Sequence, residues 1–490
     1  YNTLDAMNII TTQSSKNLLS IIFAFAIGAV NTLILYPHFF GASNQGLVVF
    51  LLSSSNLLMP LIGFGVAQTI IKFHSGYSRS EQQNFLSFVV FVPLLVVLPF
   101  GFLAIYFHNT IANLLSVENP IIANYTWVIF AVAFATAYFE IFYSWARVHF
   151  KSVMGNIFKE IYPRLIILIL LLSYKVNLID LDQFFIFLVV LYYLRMLLMM
   201  FIAFRIQPPT LSFNRPKNVT ELLRYSFYLV LAGSAGSLII DIDKFMLPQY
   251  KAIAQTAFYS VGIFTATLIE VPGRALFQIL NPLIAKAINN QNNSHLVKLY
   301  KDSAINLLLL GGWFFLLVNG SITALFDLIQ VDGYESAVSV VLMISFAKLI
   351  VMSSGAANTI LLNSKQYRIS LFLTILMAVF VYIGNRLTIP MYGINGAAMS
   401  TLIVVVLFTY VRMAYVYQYF GVHPYNKNTL LAFVVIGLLF AAVNTLQLNI
   451  HPLASIILKS ILITFIYFIL IAVLRLSETV NGWLAKPANL

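Results

Sequence analysis

Long apolar runs, separated by short polar breaks, constrain this chain more than any other feature. They fall at 15–36, 45–72, 84–107, 121–146, 155–174, 184–206, 220–247, 254–286, 302–326, 335–362, 367–387, 393–420, 428–447 and 453–475. A helix needs about 20 apolar residues to cross a bilayer. In hydrocarbon the backbone N–H and C=O groups have no water to bond, so such runs must satisfy them internally, as helices. The pattern therefore predicts an all-α integral membrane protein with about fourteen transmembrane helices. Composition agrees: 60% of the 490 residues are hydrophobic and 9% are charged, against roughly 25% charged in soluble domains. The run from Leu18 is followed by no small-residue cleavage site and by further spans, so it is expected to be a first helix and not a signal peptide. The chain has no cysteine, which excludes a disulfide framework, thiolate metal sites and a cysteine nucleophile.

The net charge of +12 would, in a soluble protein, point toward nucleic acid. Its distribution points elsewhere. With the N-terminus inside, nineteen of the 28 Lys and Arg fall on the cytoplasmic side, four on the opposite side and five within spans. Asp180, Asp182, Asp327, Asp332 and Glu335 lie in the outer loops. That is the positive-inside bias of a multi-pass membrane protein. It alternates loop by loop, supports the span count independently, and places both termini in the cytoplasm. A nucleic-acid partner is not expected.

An offset of roughly 211–217 residues brings the two halves of the chain into weak register. Pro60 in the second span falls on Pro272 in the eighth, and Tyr193-Leu194-Arg195-Met196 on Tyr410-Val411-Arg412-Met413. The turn Phe150-Lys151-Ser152 falls near Asn363-Ser364-Lys365. Six spans is an even number, so the halves face the same way, as in the parallel repeats of many transporters. The expected organisation is two pseudo-symmetric six-helix lobes: an N-lobe over 1–206, a cytoplasmic linker over 207–219 and a C-lobe over 220–420. Two further spans and a tail occupy 421–490. Proline removes a helix hydrogen bond and favours a kink, so Pro60 and Pro272, at matching places, are candidate gating kinks. Simple enrichment of proline in membrane helices explains them equally and explains Pro93 and Pro99 better.

Three segments carry a resemblance. They are LYPHFFGASNQG from Leu35 to Gly46, IDIDKFMLPQYKAIAQTAFYSVG from Ile240 to Gly262, and PMYGINGAAMSTLIVV from Pro390 to Val405. In order and spacing they resemble the polysaccharide transporter, or O-antigen flippase, family of the multidrug/oligosaccharidyl-lipid/polysaccharide (MOP) flippase superfamily. The resemblance implies two six-helix bundles, a central cationic cavity and a bacterial inner-membrane location. It implies flipping of an undecaprenyl-pyrophosphate-linked oligosaccharide, such as an O-antigen or capsule repeat unit, between leaflets by alternating access. Fourteen spans exceed that family's usual twelve and approach the peptidoglycan-precursor flippases of the same superfamily, so the branch stays open.

Charges inside spans bear on the substrate, because each costs about 2.5–3.5 kcal/mol at a helix centre and usually faces a bundle interior or a wet cavity. Arg195 and Lys348 sit mid-span with no acid three or four positions away. A pyrophosphate would supply the missing anion; a salt bridge to another helix is the alternative. Arg274 is a third candidate ligand, in competition with an i,i+4 pair to Glu270. Arg164 with Glu160 reads as structural. Glu140, Asp241, Asp243 and Glu270 are candidates for proton or sodium coupling, with a simple Asp241–Lys244 pair as the competing reading. No GxxxxGK[ST] phosphate loop is present, no resident cofactor is implied, and the seven His are scattered at helix ends, so no metal site is expected. A multidrug exporter of the same superfamily would favour acids in its cavity. A membrane glycan polymerase or ligase would be expected to carry catalytic residues in a large outer loop, and all outer loops here are short. The expected partners are the lipid-linked oligosaccharide and membrane lipid. The protein is expected to be monomeric, with association to glycan-assembly proteins as a further expectation.

Overall fold

The computed structural model describes residues 20–149, 151–209, 216, 218–446, 448 and 450–477. The first residues of the first expected span, Phe150 of the repeated turn, the middle of the 207–219 linker and the tail beyond 477 lie outside the described residues. Every regular element among the described residues is helical. In chain order these are α1 (Ser20–Phe40), α2 (Ala42–Gly63), α3 (Val66–Phe73), α4 (Arg79–Tyr106), α5 (His108–Leu115), α6 (Thr126–Val148), α7 (Val153–Glu160), α8 (Tyr162–Lys175) and α9 (Leu181–Ile206). They continue with α10 (Val219–Met246), α11 (Ala254–Thr267), α12 (Val271–Asn289), α13 (Asn293–Ile329), α14 (Val338–Ser353), α15 (Ala357–Asn363), α16 (Tyr367–Phe420), α17 (Lys427–Thr445) and α18 (Pro452–Leu474).

Eleven of these helices are individually long and apolar enough to cross a membrane, and the bent pair Ala254–Arg274 with Ile279–Asn289 makes twelve. Two local features reconcile this number with fourteen passages. First, α16 runs for 54 residues but breaks at Gly393, whose φ of 55° and ψ of −130° only glycine adopts readily. Thr388 Oγ1 donates to the Gly396 carbonyl at 2.8 Å, and Ser400 Oγ to Val381 O at 3.4 Å. The halves therefore fold back on each other, and α16 is a helical hairpin of two spans. Second, α7 and α8 are one interrupted span. Helical bonds pass through Ile161, from its N–H to Ile157 O and from Leu165 N–H to its carbonyl, while Pro163 removes a donor beside the break. The molecule is a multi-pass, all-α membrane protein.

The chain forms two compact units, 1–257 and 258–490. In the first, α2 packs on α6 and α10, and α6 on α9. Trp145 is fully buried, edge-on to Phe204 at 5.5 Å. Phe40, Tyr174 and Phe184 interlock at 4.5–4.8 Å. α10, assigned from sequence to the C-lobe, packs within this unit. One reason is Asn119, whose buried amide donates to Pro248 O at 2.6 Å and Lys251 O at 2.9 Å and accepts from Ile253 N–H at 2.9 Å. That triple bond set satisfies backbone groups that would otherwise be orphaned just beyond α10.

In the second unit, α13 is the central element, packed against α12, α14, α17 and α18. Its small residues permit close approach. A Cβ on Gly320 would lie 2.7 Å from Val443 Cγ1. Tyr467 OH reaches across from α18 to the Leu309 carbonyl at 2.7 Å. The two C-terminal helices thus form part of the second unit's core rather than an appendage to it.

Candidate functional site

The second and eighth spans are both broken close to their repeated prolines. Beyond Pro60, α2 ends where Phe64 and Gly65 adopt left-handed φ of 46° and 66°. A side chain on Gly65 would collide with the Ser226 carbonyl of α10, so this position needs glycine on two counts. Thr69 and Ser226 then join α3 to α10 through a 2.7 Å hydroxyl contact, and the Lys72 ammonium lies 3.7 Å from the Tyr225 ring centroid. In the eighth span a 3-10 turn, Leu268–Glu270, separates α11 from α12, and Pro272 occupies the first turn of α12. There a missing N–H costs nothing, because the first helical N–H groups lack intrahelical partners. Pro272 thus sits in the first turn of α12, and the span bends by 50° a few residues further on, between Arg274 and Ile279.

The break in α2 opens on a cavity of 270 Å³ inside the first unit, lined among others by Pro60, Gly63, Gly65, Gly233, Glu140 and Lys159. Glu140 and Lys159 form an ion pair of 2.8 Å there. Lys159 reads from sequence as a cytoplasmic topology charge; the structure makes it the partner of an intramembrane acid.

The other acids are treated in the same way. Asp241 accepts from Lys244 at 2.7 Å and from Asn56 Nδ2 at 3.2 Å. Glu270 accepts from Lys348 at 2.8 Å. Arg164 bonds Glu160 within one turn at 3.2 Å. Lys348, unpaired by local sequence, thus has its counter-ion across the unit, the inter-helix salt bridge weighed as the alternative to a ligand role. Of the two readings of Arg274, the pair with Glu270 is not formed, because Glu270 is turned to Lys348 on α14; Arg274 is exposed on α12. Asp243 is buried on α10.

Arg195 is 3% exposed and forms no ion pair, although the Glu140 carboxylate, itself paired with Lys159, lies close enough to act on it. Its guanidinium lies 4.3 Å and 4.7 Å from the ring centroids of Phe139 and Tyr192, and Nη2 donates to Thr136 Oγ1 at 3.3 Å. Its Nε is buried without an acceptor. Stacking on aromatic faces compensates part of the desolvation. Arg412, its counterpart in the repeat, has a similar environment: Nη2 donates to Thr374 Oγ1 at 3.3 Å, and Nε again lacks an acceptor. In sequence, Arg412 is one of the charges counted on the cytoplasmic side, and the YLRM/YVRM match is what pairs it with Arg195. Lys459 on α18 was not singled out at all. It is 8% exposed and donates only to the Gly320 carbonyl, at 3.3 Å.

The charges sum in one direction. Among the described residues, Glu140, Glu160, Asp241 and Glu270 each hold a cation, whereas Arg195, Arg274 and Arg412 form no ion pair. The residual charge inside the spans is positive. No group of three or more His, Cys, Asp or Glu able to hold a metal occurs among the described residues.

No protein-family model matches the sequence, and no curated protein matches it. Solved structures do. The chain is similar to the lipid II flippase MurJ in an inward closed conformation, with a TM-score of 0.67 and 14% identity over 93% of this chain and 98% of that one. It is similar to an inward-facing multidrug resistance MATE family transporter of the MOP superfamily (TM-score 0.58, 17% identity, 87% and 95% covered). An outward-facing structure of such a transporter gives 0.54 at 15% identity, with 89% and 97% covered. These likenesses span nearly the whole of each chain and establish a common fold.

Proposed function

We propose that this protein is a flippase that moves a lipid-linked oligosaccharide carrying a pyrophosphate across a bacterial inner membrane, with both termini cytoplasmic. The observation that carries the proposal is the unbalanced positive charge within the spans. Four intramembrane acids are neutralised by neighbouring lysines or arginine, while Arg195, Arg274 and Arg412 keep no acid of their own. Cations in that setting favour an anionic cargo, and a planar guanidinium fork suits phosphate oxygens. The fold shared with a lipid II flippase and with MATE transporters supports transport as the class of activity. The broken second and eighth spans supply hinges of the kind that alternating access needs.

Multidrug export is the second reading, because the same fold serves it. A cationic drug would call for a carboxylate without a partner, and Glu140, Asp241 and Glu270 are each occupied by a lysine.

Proteoliposomes with defined undecaprenyl-pyrophosphate oligosaccharides test the proposal. Wild-type protein is expected to expose the lipid-linked sugar on the far leaflet, and Arg195→Ala and Arg274→Ala to reduce this at least tenfold. Drug resistance conferred on a host lacking its own pumps, with no sugar flipping, would establish the second reading instead.

A further inference from the structure

The second unit contains a polar pocket that the transport reading does not use. The C-terminal ends of α13 and α17 meet the N-terminal end of α18 around a pocket of 380 Å³. Asp327, Thr323, Asn444, Ser455 and Lys459 supply its polar wall. This is an unusual lining for helices otherwise built from leucine, isoleucine and phenylalanine.

Lys459 is the costly residue. An ammonium group has three donors, and here one of them meets a single carbonyl at 3.3 Å. The side chain is more than nine-tenths buried, seven residues or about 10 Å into α18. A lysine held that deep requires an anion. Asp327 lines the same pocket from α13 but is exposed and forms no ion pair with it. The pocket therefore presents a cation at its floor and an acid at its mouth. Gly320, which accepts from Lys459, and Asp327 are two turns apart on α13, about 10 Å along the axis. Part of that gap is closed by the aspartate side chain, which leans toward the helix N-terminus. A bridging molecule must therefore be short, with an anionic end inward and a cationic end outward. Two charge-assisted hydrogen bonds of about 2.8 Å each joined by a two-carbon arm fill the distance.

The rim identifies the rest of the occupant. Leu446 and Ile450 line the pocket and Leu453 opens α18 beside it, all three exposed. They offer apolar surface to a glycerol backbone and acyl chain at the level of the membrane interface. We propose that the pocket binds the zwitterionic headgroup of an ethanolamine phospholipid, Lys459 holding the phosphate and Asp327 the primary ammonium. This site is separate from the cargo reading and does not depend on it.

The test uses the full chain purified in detergent, delipidated, and given phosphatidylethanolamine, phosphatidylglycerol or soluble phosphoethanolamine. Retention is read by native mass spectrometry and stabilisation by thermal melting. Phosphatidylethanolamine is expected to be retained at least tenfold more tightly than phosphatidylglycerol and to raise the melting temperature, with no effect from the soluble headgroup at equal concentration. Lys459→Met should lower retention of both lipids, and Lys459→Arg should restore it. Asp327→Asn changes an exposed side chain and should leave the fold intact while abolishing the preference for ethanolamine; it decides the matter if Lys459→Met does not fold. Equal retention of the two lipids by wild type, an unchanged preference in Asp327→Asn, or equal stabilisation by soluble phosphoethanolamine would each overturn the proposal.

Discussion

The Lys348–Glu270 pair offers the sharpest test of how this protein uses its intramembrane charge. The contact is 2.8 Å, with side chains 20% and 28% exposed. It is neither a surface pair, worth about 0–1 kcal/mol, nor a fully buried one, where removing one partner costs about 3–5 kcal/mol. A charge-assisted hydrogen bond contributes about 1.5–3 kcal/mol, so Lys348→Met and Glu270→Gln should each destabilise the protein by roughly 1–3 kcal/mol. In each single variant a charge loses its counter-ion; in the double variant neither charge remains. The double variant should therefore fall short of the sum of the singles by about 1–2 kcal/mol. Reversible unfolding in mixed micelles measures the cycle. The same four proteins in the flipping assay separate a structural lysine from a ligand. If Lys348 serves only to hold Glu270 and the α11–α12 turn to α14, the double variant should recover flipping lost in the singles. Stabilities that add to within about 0.5 kcal/mol would refute the coupling, and loss of flipping confined to the lysine variants would assign Lys348 to the cargo.

Other positions give equally direct outcomes. Gly393→Ala places a side chain at φ 55°, ψ −130° in the α16 turn and should destabilise by about 1–3 kcal/mol in the same unfolding measurement. Gly65→Ala should cost at least as much, because it adds a collision with the Ser226 carbonyl to a left-handed φ; Thr69→Val, which removes only the hydroxyl contact, should cost less. At the end of α3, burial and the neighbouring His149 push the His74 imidazole down to about 4 from 6.5. Its folded pKa lies below its unfolded one, so the neutral ring contributes stability that is complete above pH 6.5 and lost as pH falls toward 4. The loss is at most about 3.4 kcal/mol at about 1.36 kcal/mol per pKa unit. Melting temperature followed from pH 7 to 4 should show this decline, and His74→Asn should flatten it. Arg195→Lys keeps the charge but loses the planar stack on Phe139 and Tyr192, so it should melt lower than wild type and recover flipping only in part.

Much of the architecture was legible in the sequence because hydrocarbon imposes simple rules. A run of about 20 apolar residues has almost one option, and Lys and Arg counts in the loops report a side of the membrane. Those rules are local, and they sufficed for fourteen passages and an all-α fold. They also separated the two halves of α16 correctly, since the polar stretch at Asn385 and Arg386 and the Pro390–Gly393 segment interrupt the apolar pattern there. The resemblance to the MOP superfamily pointed to the fold that the solved structures share.

Charge pairing was not legible, because ion pairs ignore chain distance. Lys348 is 78 positions from the nearest acid it touches, Glu270, and no helical spacing connects them. Lys159 read as topology because it sits near a helix end, yet its flexible stem reaches Glu140 on another helix. Lys459 looked unremarkable until α18 packed on α13 and buried it. Sequence by itself determined what crosses the membrane and which face of each loop is basic, because both follow from transfer energies of single segments. Tertiary structure alone decided which charges are spent on one another and which are left over, because that depends on helices meeting, and cations without an ion pair are what remain once the acids are taken.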